Sequence, residues 1–374
     1  MNFEPYPFAK LRTLIAPLTP PQDYPLIALT IGEPQFETPP FIQEALKKSS
    51  ALLSKYPKSA GEQELKDSQK CYIQRRYNIS LRDEAILPTF GTREVLFNFP
   101  QYWLFDKKNP TLAHPNPFYQ IYEGAAIASR AHTIYMELTP ENGFTPHLSE
   151  DEMKVCDLVI LNSPNNPTGR ALSLQELIQW VKWAQEFDFL ILNDECYGDI
   201  YEDTPPASIL EASIKAGNID FKNVLAVNSA SKRSSAPGLR SGFIAGDASI
   251  LAGYANYRTY VGVAIPLPLQ KAATLAWEEE SHATAIRLKY AKNLSIAREI
   301  LGVEIEPYTF YVWLKVNDDM EFTKRLYEES GVLCLPGSFL GRNGAGKGYV
   351  RLALVHEEST LYEALRKVSA CLKS

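Results

Sequence analysis

The sequence is poor in several residue types, and each scarcity excludes something. Five cysteines (Cys71, Cys156, Cys196, Cys334 and Cys371) lie far apart in 374 residues and form no C-x-x-C pair. That pattern argues for reduced, mostly buried thiols and against a disulfide framework. Five histidines are equally scattered, with no H-x-x-x-H or H-E-x-x-H spacing, so no metal site is expected. There is no basic block, and the net charge is -6. Electrostatics therefore give no reason to bind nucleic acid or an anionic membrane surface. No apolar run reaches membrane-spanning length, and the opening M-N-F-E-P-Y-P-F-A-K has no basic region followed by an apolar one. A cytoplasmic protein is expected. Internal repeats and low-complexity tracts are missing too.

What is present describes an ordinary soluble chain, with 45% hydrophobic and 22% charged residues. Its length suits about two domains with a sizeable core. The first forty residues carry nine prolines, from Pro5 to Pro40; such a segment is poor in helix and reads as an extended arm crossing a surface. From there to about residue 250, apolar runs alternate with helical patterns. Strands are expected at residues 85–88, 111–114, 155–161, 189–193 and 224–228, most of them nearly continuous apolar stretches suited to burial on both faces. One helix is clearly signalled: Ser173 with Glu176 makes a capping box, and Leu174, Leu177, Ile178, Val181, Ala184 and Phe187 follow near helical spacing. The alternation predicts a mostly parallel, doubly wound α/β sheet with helices on both faces. A helical region up to Leu301 then precedes strand-like stretches at 310–316 and 349–355. The expected division is an N-terminal arm (1–40, joining the smaller domain), a large domain (41–255), and an interdomain helix with a smaller α+β domain (256–374).

The stretch G-R-N-G-A-G-K at residues 341–347 matches a phosphate loop up to its lysine. Gly348 follows where Ser or Thr is needed, and a strand-like Y-V-R-L-A-L-V comes next instead of a helix. A turn is the expected structure.

Four clusters fall at the carboxyl ends of the expected strands, where ligands bind in doubly wound sheets. They are Gly91-Thr92-Arg93-Glu94, N-S-P-N-N-P-T-G at 162–169, Asp194-Glu195-Cys196-Tyr197, and S-A-S-K-R-S-S-A-P-G-L-R-S-G at 229–242. Each alone has an ordinary structural explanation as a helix start, a turn, a cap or a solvated loop. Chemistry ties them together. Thr92 and Arg93 can offer backbone N–H groups to a phosphate, with Ser229, Ser231 and Arg240 adding hydroxyls and a guanidinium. Asp194 can keep a pyridine nitrogen protonated, and Lys232 can condense with an aldehyde. Asn166 and Tyr197 can hydrogen-bond a ring phenolate oxygen. Together these requirements describe pyridoxal 5'-phosphate.

The same strings carry a family resemblance. With P-N-P-F-Y-Q-I-Y and Y-V-R-L-A added, the chain resembles the fold-type-I, class I/II aminotransferases over nearly its whole length, from I-G-E-P-Q-F-E-T-P to Y-V-R-L-A-L-V. The resemblance implies that Lys232 is the catalytic, cofactor-bearing lysine and Asp194 the partner of the ring nitrogen. It makes Asn166 and Tyr197 the ring-oxygen contacts, and Tyr119 the aromatic on the ring face. Arg351 matches the arginine that clamps the substrate α-carboxylate, and Gly32 a backbone contact to that carboxylate. Tyr56, in K-Y-P-K-S-A-G, resembles a tyrosine that reaches a neighbouring subunit's cofactor phosphate, which implies a homodimer. Cys196 stands where alanine is commoner. Arg93 stands where a smaller residue is usual, and adds positive charge near the phosphate.

Residues 115–126, 231–247 and 335–342 further resemble the bacterial N-succinyldiaminopimelate aminotransferases. That implies glutamate as donor, 2-oxoglutarate as its product, and a place in lysine formation. The alternatives are an aminotransferase for aspartate, an aromatic or a similar amino acid, or a pyridoxal-phosphate lyase of the same fold. A regulator that senses the cofactor would normally carry a basic DNA-binding helix pair, which this sequence does not contain.

Overall fold

A computed structural model describes residues 3–23 and 25–373. The strands, in chain order, are β1 (Ile27–Ala28), β2 (Ile86–Thr89), β3 (Thr111–Asn116), β4 (His132–Glu137), β5 (Leu158–Asn162) and β6 (Leu190–Asp194). There follow β7 (Val224–Ser229), β8 (Gly242–Gly246), β9 (Tyr311–Lys315), β10 (Val332–Leu333), β11 (Leu335–Pro336) and β12 (Tyr349–Ala353). Seven of them form one sheet in the order β2-β8-β7-β6-β5-β3-β4. Only β8 runs against the others. The expected α/β sheet, mostly parallel with helices on both faces, is the observed one.

Why these runs are continuous is visible in their packing. Alternate residues of one strand point to opposite faces. Val159, Leu161, Ile191 and Ala226 enter one apolar cluster, with helices Gln63–Tyr77 and Leu174–Phe187. Leu158, Ile160, Leu192 and Val227 enter another on the far side, with helix Thr92–Trp103. Both faces are covered, so neither parity of residue can be polar until the strand reaches the carboxyl edge.

A second, antiparallel sheet has the order β11-β12-β9. It shares an apolar cluster with helices Ser281–Leu301 and Glu358–Lys373, and with Ile27 and Leu29 beside the parallel β1–β10 pair. Among the described residues no helix is long and apolar enough to cross a membrane.

Three local expectations need correction. The N-terminal segment is not wholly extended: Pro7–Ile15 is a helix. Pro7 takes its first turn, where a missing N–H costs nothing, and F-A-K-L-R-T-L-I runs on without proline. The strand expected from residue 155 starts at Leu158, because a Ser149–Glu152 capping box makes Glu150–Val155 helical. Two strands were not foreseen. β4 is an edge strand with alternating burial, and β8 is a short glycine-bounded run. The G-R-N-G-A-G-K stretch is a turn leading into β12, as expected.

Candidate active site

The carboxyl edge of the large sheet opens into a cavity of about 810 Å³. Thr92, Arg93, Tyr119, Asn166, Asp194, Tyr197, Ser229, Ser231, Lys232 and Arg240 line it, with Gly32 and Arg351 from the side of the smaller sheet. Tyr56 does not line it; its side chain is fully exposed.

At one end of the cavity, between the lining residues Phe90 and Thr92, stands Gly91. Its φ of +78° is one that L side chains rarely adopt, and a Cβ there would lie 2.3 Å from Arg240 Nη2. Glycine thus lets the arginine reach the start of helix Thr92–Trp103, whose first-turn N–H groups have no partner within the helix. Arg240 donates to the carbonyls of Phe90 (3.0 Å) and Pro237 (2.8 Å). Its burial and the charge of Arg93 lower its pKa, so both guanidinium groups gain from a nearby anion. Glu94 does not supply one: its carboxylate is turned to Arg258 and Tyr254 and accepts the Phe90 N–H.

Asp194 ends β6 and is buried. Tyr122 Oη donates to one carboxylate oxygen (2.9 Å) and the Cys196 N–H to the other (3.2 Å). Burial raises its pKa, which a cationic partner would reverse. Beside it in register, Asn162 donates to the Asp194 carbonyl and accepts the Asn166 N–H at 2.8 Å, fixing the N-N-P-T-G loop.

Lys232 follows β7, its amine donating to the Gly32 carbonyl. Burial brings its pKa down to about 8, and the charge of Arg351 works in the same direction. Arg351 is buried on β12. It donates to Asn166 Oδ1 (2.7 Å) and the Thr30 carbonyl (2.6 Å), while its Nε has no partner among the described residues. Its guanidinium lies 4.3 Å from the centre of the Tyr311 ring. The Tyr311 hydroxyl sits 3.1 Å from that of Tyr197, and a Cβ on Gly32 would come within 1.8 Å of it.

Tyr122 and Tyr311 have no role in the sequence reading, and Asn162 enters it only as the first residue of N-S-P-N-N-P-T-G. Tyr122 follows Tyr119 by three residues in P-F-Y-Q-I-Y, a helical spacing that could have exposed it. Tyr311 gives no such signal, since its place arises from packing between the two sheets.

Known proteins agree with this architecture. The family profile of the class I and II aminotransferases matches residues 24–368. A probable aminotransferase of Mycobacterium tuberculosis is 32% identical over 354 residues, covering 92% of this chain and 80% of that one. An LL-diaminopimelate aminotransferase of Aquifex aeolicus is 30% identical, covering 93% and 92%. Among solved structures, the aminotransferase AspB of Helicobacter pylori has a TM-score of 0.98 and 53% identity, with full coverage of both chains. An aminotransferase of Neisseria meningitidis has a TM-score of 0.94 and 36% identity, covering 99% and 98%.

The chain belongs to the class I and II aminotransferases. It is accordingly a pyridoxal-phosphate-dependent enzyme that acts on amino and keto acids. The residues present fit that cofactor: two guanidinium groups without an ion pair among the described residues stand at a glycine-opened helix start, and a buried carboxylate bonded by neutral donors and an amine of lowered pKa share the cavity with them.

Proposed function

We propose that the enzyme takes an amino group from glutamate, releasing 2-oxoglutarate, and passes it to the N-succinylated keto acid of the diaminopimelate skeleton in bacterial lysine formation. The observation that carries this reading is the set of long strings at residues 115–126, 231–247 and 335–342. Two facts support it. The Aquifex relative is named for the diaminopimelate skeleton, and the cavity holds more cationic groups than one carboxylate and one phosphate need.

In this reading Thr92, Ser229, Ser231 and Arg240 would hold the phosphate, together with the backbone and side-chain charge of Arg93. Tyr119 covers the ring face, and Asn166 and Tyr197 bind the ring oxygen. Asp194 holds a proton on the ring nitrogen. The bound cofactor supplies an aldehyde for amine exchange and an electron-withdrawing ring. Arg351 orients the substrate through its α-carboxylate, with the Gly32 backbone alongside, and so presents Cα to Lys232. The lysine then moves the Cα proton, first as base and then as acid; a pKa of about 8 suits both tasks near neutral pH.

The reading also makes the enzyme a cytoplasmic homodimer in which Tyr56 reaches the second subunit's phosphate. An aromatic ring left wholly in water supports that role. The arm, large domain and small domain keep the proposed limits of 1–40, 41–255 and 256–374.

The test is kcat/KM for succinylated and free diaminopimelate beside aspartate and aromatic amino acids. The succinylated substrate is expected to lead, since the free skeleton lacks a carboxylate the site can pair. If free diaminopimelate, aspartate or an aromatic amino acid leads, the narrow assignment falls. Glutamate alone should discharge the cofactor's visible band and stop there; continuous turnover without a keto acid would indicate a lyase.

A further inference from the structure

A serine, a histidine and a carboxylate stand in line directly behind Lys232. The lysine lies on the single helical turn Ala230–Arg233, and Ser234 closes that turn, its N–H donating to the Ala230 carbonyl at 3.0 Å. Ser234 Oγ is 2.8 Å from His282 Nε2, and His282 Nδ1 is 2.6 Å from Glu279 Oε2. His282 belongs to the first turn of the long helix Ser281–Leu301. The connectivity is that of a nucleophilic triad. Ser234, however, is wholly buried and does not line the cavity. No substrate reaches it, so the line holds and does not attack.

The neighbours of His282 fix its protonation. Glu279 accepts the N–H groups of Ser281 (2.7 Å) and His282 (3.0 Å). Burial works against its charge, yet hydrogen bonds from Ser281 and His282 bring its pKa down to about 2. A carboxylate only accepts, so Nδ1 carries the imidazole hydrogen and Nε2 is left to accept the Ser234 hydroxyl. Burial lowers the pKa of His282; Arg233 works in the same direction, while Glu279 and Glu280 oppose it. Arg233 is in turn held by Asp199 (3.0 Å) and Glu280 (2.9 Å), and Arg75 shares Glu280 (2.8 Å). Helix Pro40–Ser49 contributes the Phe41 ring, packed edge-on with its centre 5.3 Å from that of the imidazole. The next residue, Ser235, is tied elsewhere: its hydroxyl donates to the Phe36 carbonyl, and its own carbonyl accepts the Thr38 hydroxyl at 2.7 Å. The chain leaving Lys232 is thus gripped from two sides, by the N-terminal stretch and by the long helix.

We propose that His282 is a positioning residue for Lys232: as a neutral imidazole it accepts the Ser234 hydroxyl, fixes the turn that carries the lysine, and keeps the amine aimed into the cavity. A protonated imidazole offers N–H at both nitrogens and cannot take that hydrogen, so the grip reverses and the turn shifts. The proposal rests on the aminotransferase reading of Lys232 and on no choice of substrate.

The probe is pyridoxal 5'-phosphate added to cofactor-free wild type, Ser234→Ala, His282→Phe and His282→Gln. Growth of the lysine-bound cofactor's visible band is followed at rising concentration, from about pH 5.5 to 8. Near pH 7.5, Ser234→Ala and His282→Phe should lower the limiting rate by about tenfold or more, the cost of a reactive group held off line. The half-saturating concentration should change less than about twofold, because the phosphate cradle is untouched. His282→Gln, whose amide oxygen accepts the same hydrogen and never protonates, should restore most of the rate lost in His282→Phe. The ratio of wild type to His282→Gln should fall with falling pH, along the titration of His282 itself. That titration is read by NMR of 15N-labelled histidine, as the signal missing from His282→Gln. The titration of Lys232 is common to both proteins and cancels in the ratio. A Ser234→Ala rate within about twofold of wild type, a ratio flat with pH, or a charged His282 at pH 7.5 overturns the proposal. Half-saturation that worsens in step with the rate overturns it too, as general damage to the site. Should His282→Phe fail to fold, Ser234→Ala, which deletes one heavy atom, still decides. If glutamate fails to discharge the cofactor, the donor assignment falls while these rates stand; if wild type forms no band, the aminotransferase reading falls and the proposal with it.

Discussion

The titration of Lys232 can be followed in the cofactor-free protein. Its amine lies among Gly32, Phe310 and Arg351, and burial brings its pKa from 10.5 to about 8. At pH 7.5 about a quarter of such amines are neutral, against about one in a thousand for an ordinary lysine. The rate of cofactor recapture should therefore climb with pH to a half-point near 8. Stability carries the same information with a defined sign. A lysine with a lowered folded pKa is paid for as buried charge below about pH 8. Between 8 and 10.5 the unfolded chain binds more protons than the folded one, so stability rises with pH, by about 3 kcal/mol across the window. Lys232→Met removes that rise. The assay is denaturant unfolding of cofactor-free wild type and variant at a series of pH values, read as their difference. Arg351→Gln should shift the half-point upward, because the arginine's charge lowers it; Glu33→Gln should shift it downward, because the glutamate's charge raises it. A flat difference curve, or a half-point above pH 9.5 in the wild type, would refute the reasoning.

Three further outcomes are expected. Asp194→Ala should keep cofactor bound through its phosphate yet lower single-turnover rates roughly a hundredfold or more, as for loss of a preorganised electrostatic partner; equal rates at equal occupancy would contradict its role. Arg351→Lys should lower kcat/KM for donor and acceptor alike by about ten- to a hundredfold, from the lost charge-assisted fork; a change confined to one substrate would show that the two carboxylates bind differently. Mixing Lys232→Ala with Tyr56→Phe subunits should recover activity above either parent, since each hybrid has one intact site if Tyr56 acts across the interface. Hybrids no better than the parents would place Tyr56 in its own subunit's site, or in neither.

The large sheet was legible because parallel strands covered on both faces read as unbroken apolar runs. For the same reason the polar residues ending those runs stood out: Asn162, Asp194 and Ser229 are where burial gives way to the cavity. What escaped has physical causes. Counting prolines without their positions hid the helix at Pro7, where proline at the first turn favours helix. β4 escaped because an edge strand covered on one side loses the apolar run. Tyr311 escaped because its neighbours Tyr197, Gly32 and Arg351 are brought to it by contact between separate sheets, which no local spacing encodes.

The alternation of β5 across the two apolar layers has a consequence for how substitutions combine. Val159 and Ile160 are covalent neighbours, yet they face different clusters with the sheet between them. Val159 and Ile191 are distant in sequence but paired in register and packed in the same layer. Truncating Val159 and Ile160 together should therefore destabilise by close to the sum of the separate effects. Truncating Val159 with Ile191 should depart from additivity by about 0.5 kcal/mol or more, because both open the same space. Epistasis in this protein follows the layers of the sheet and not the order of the chain.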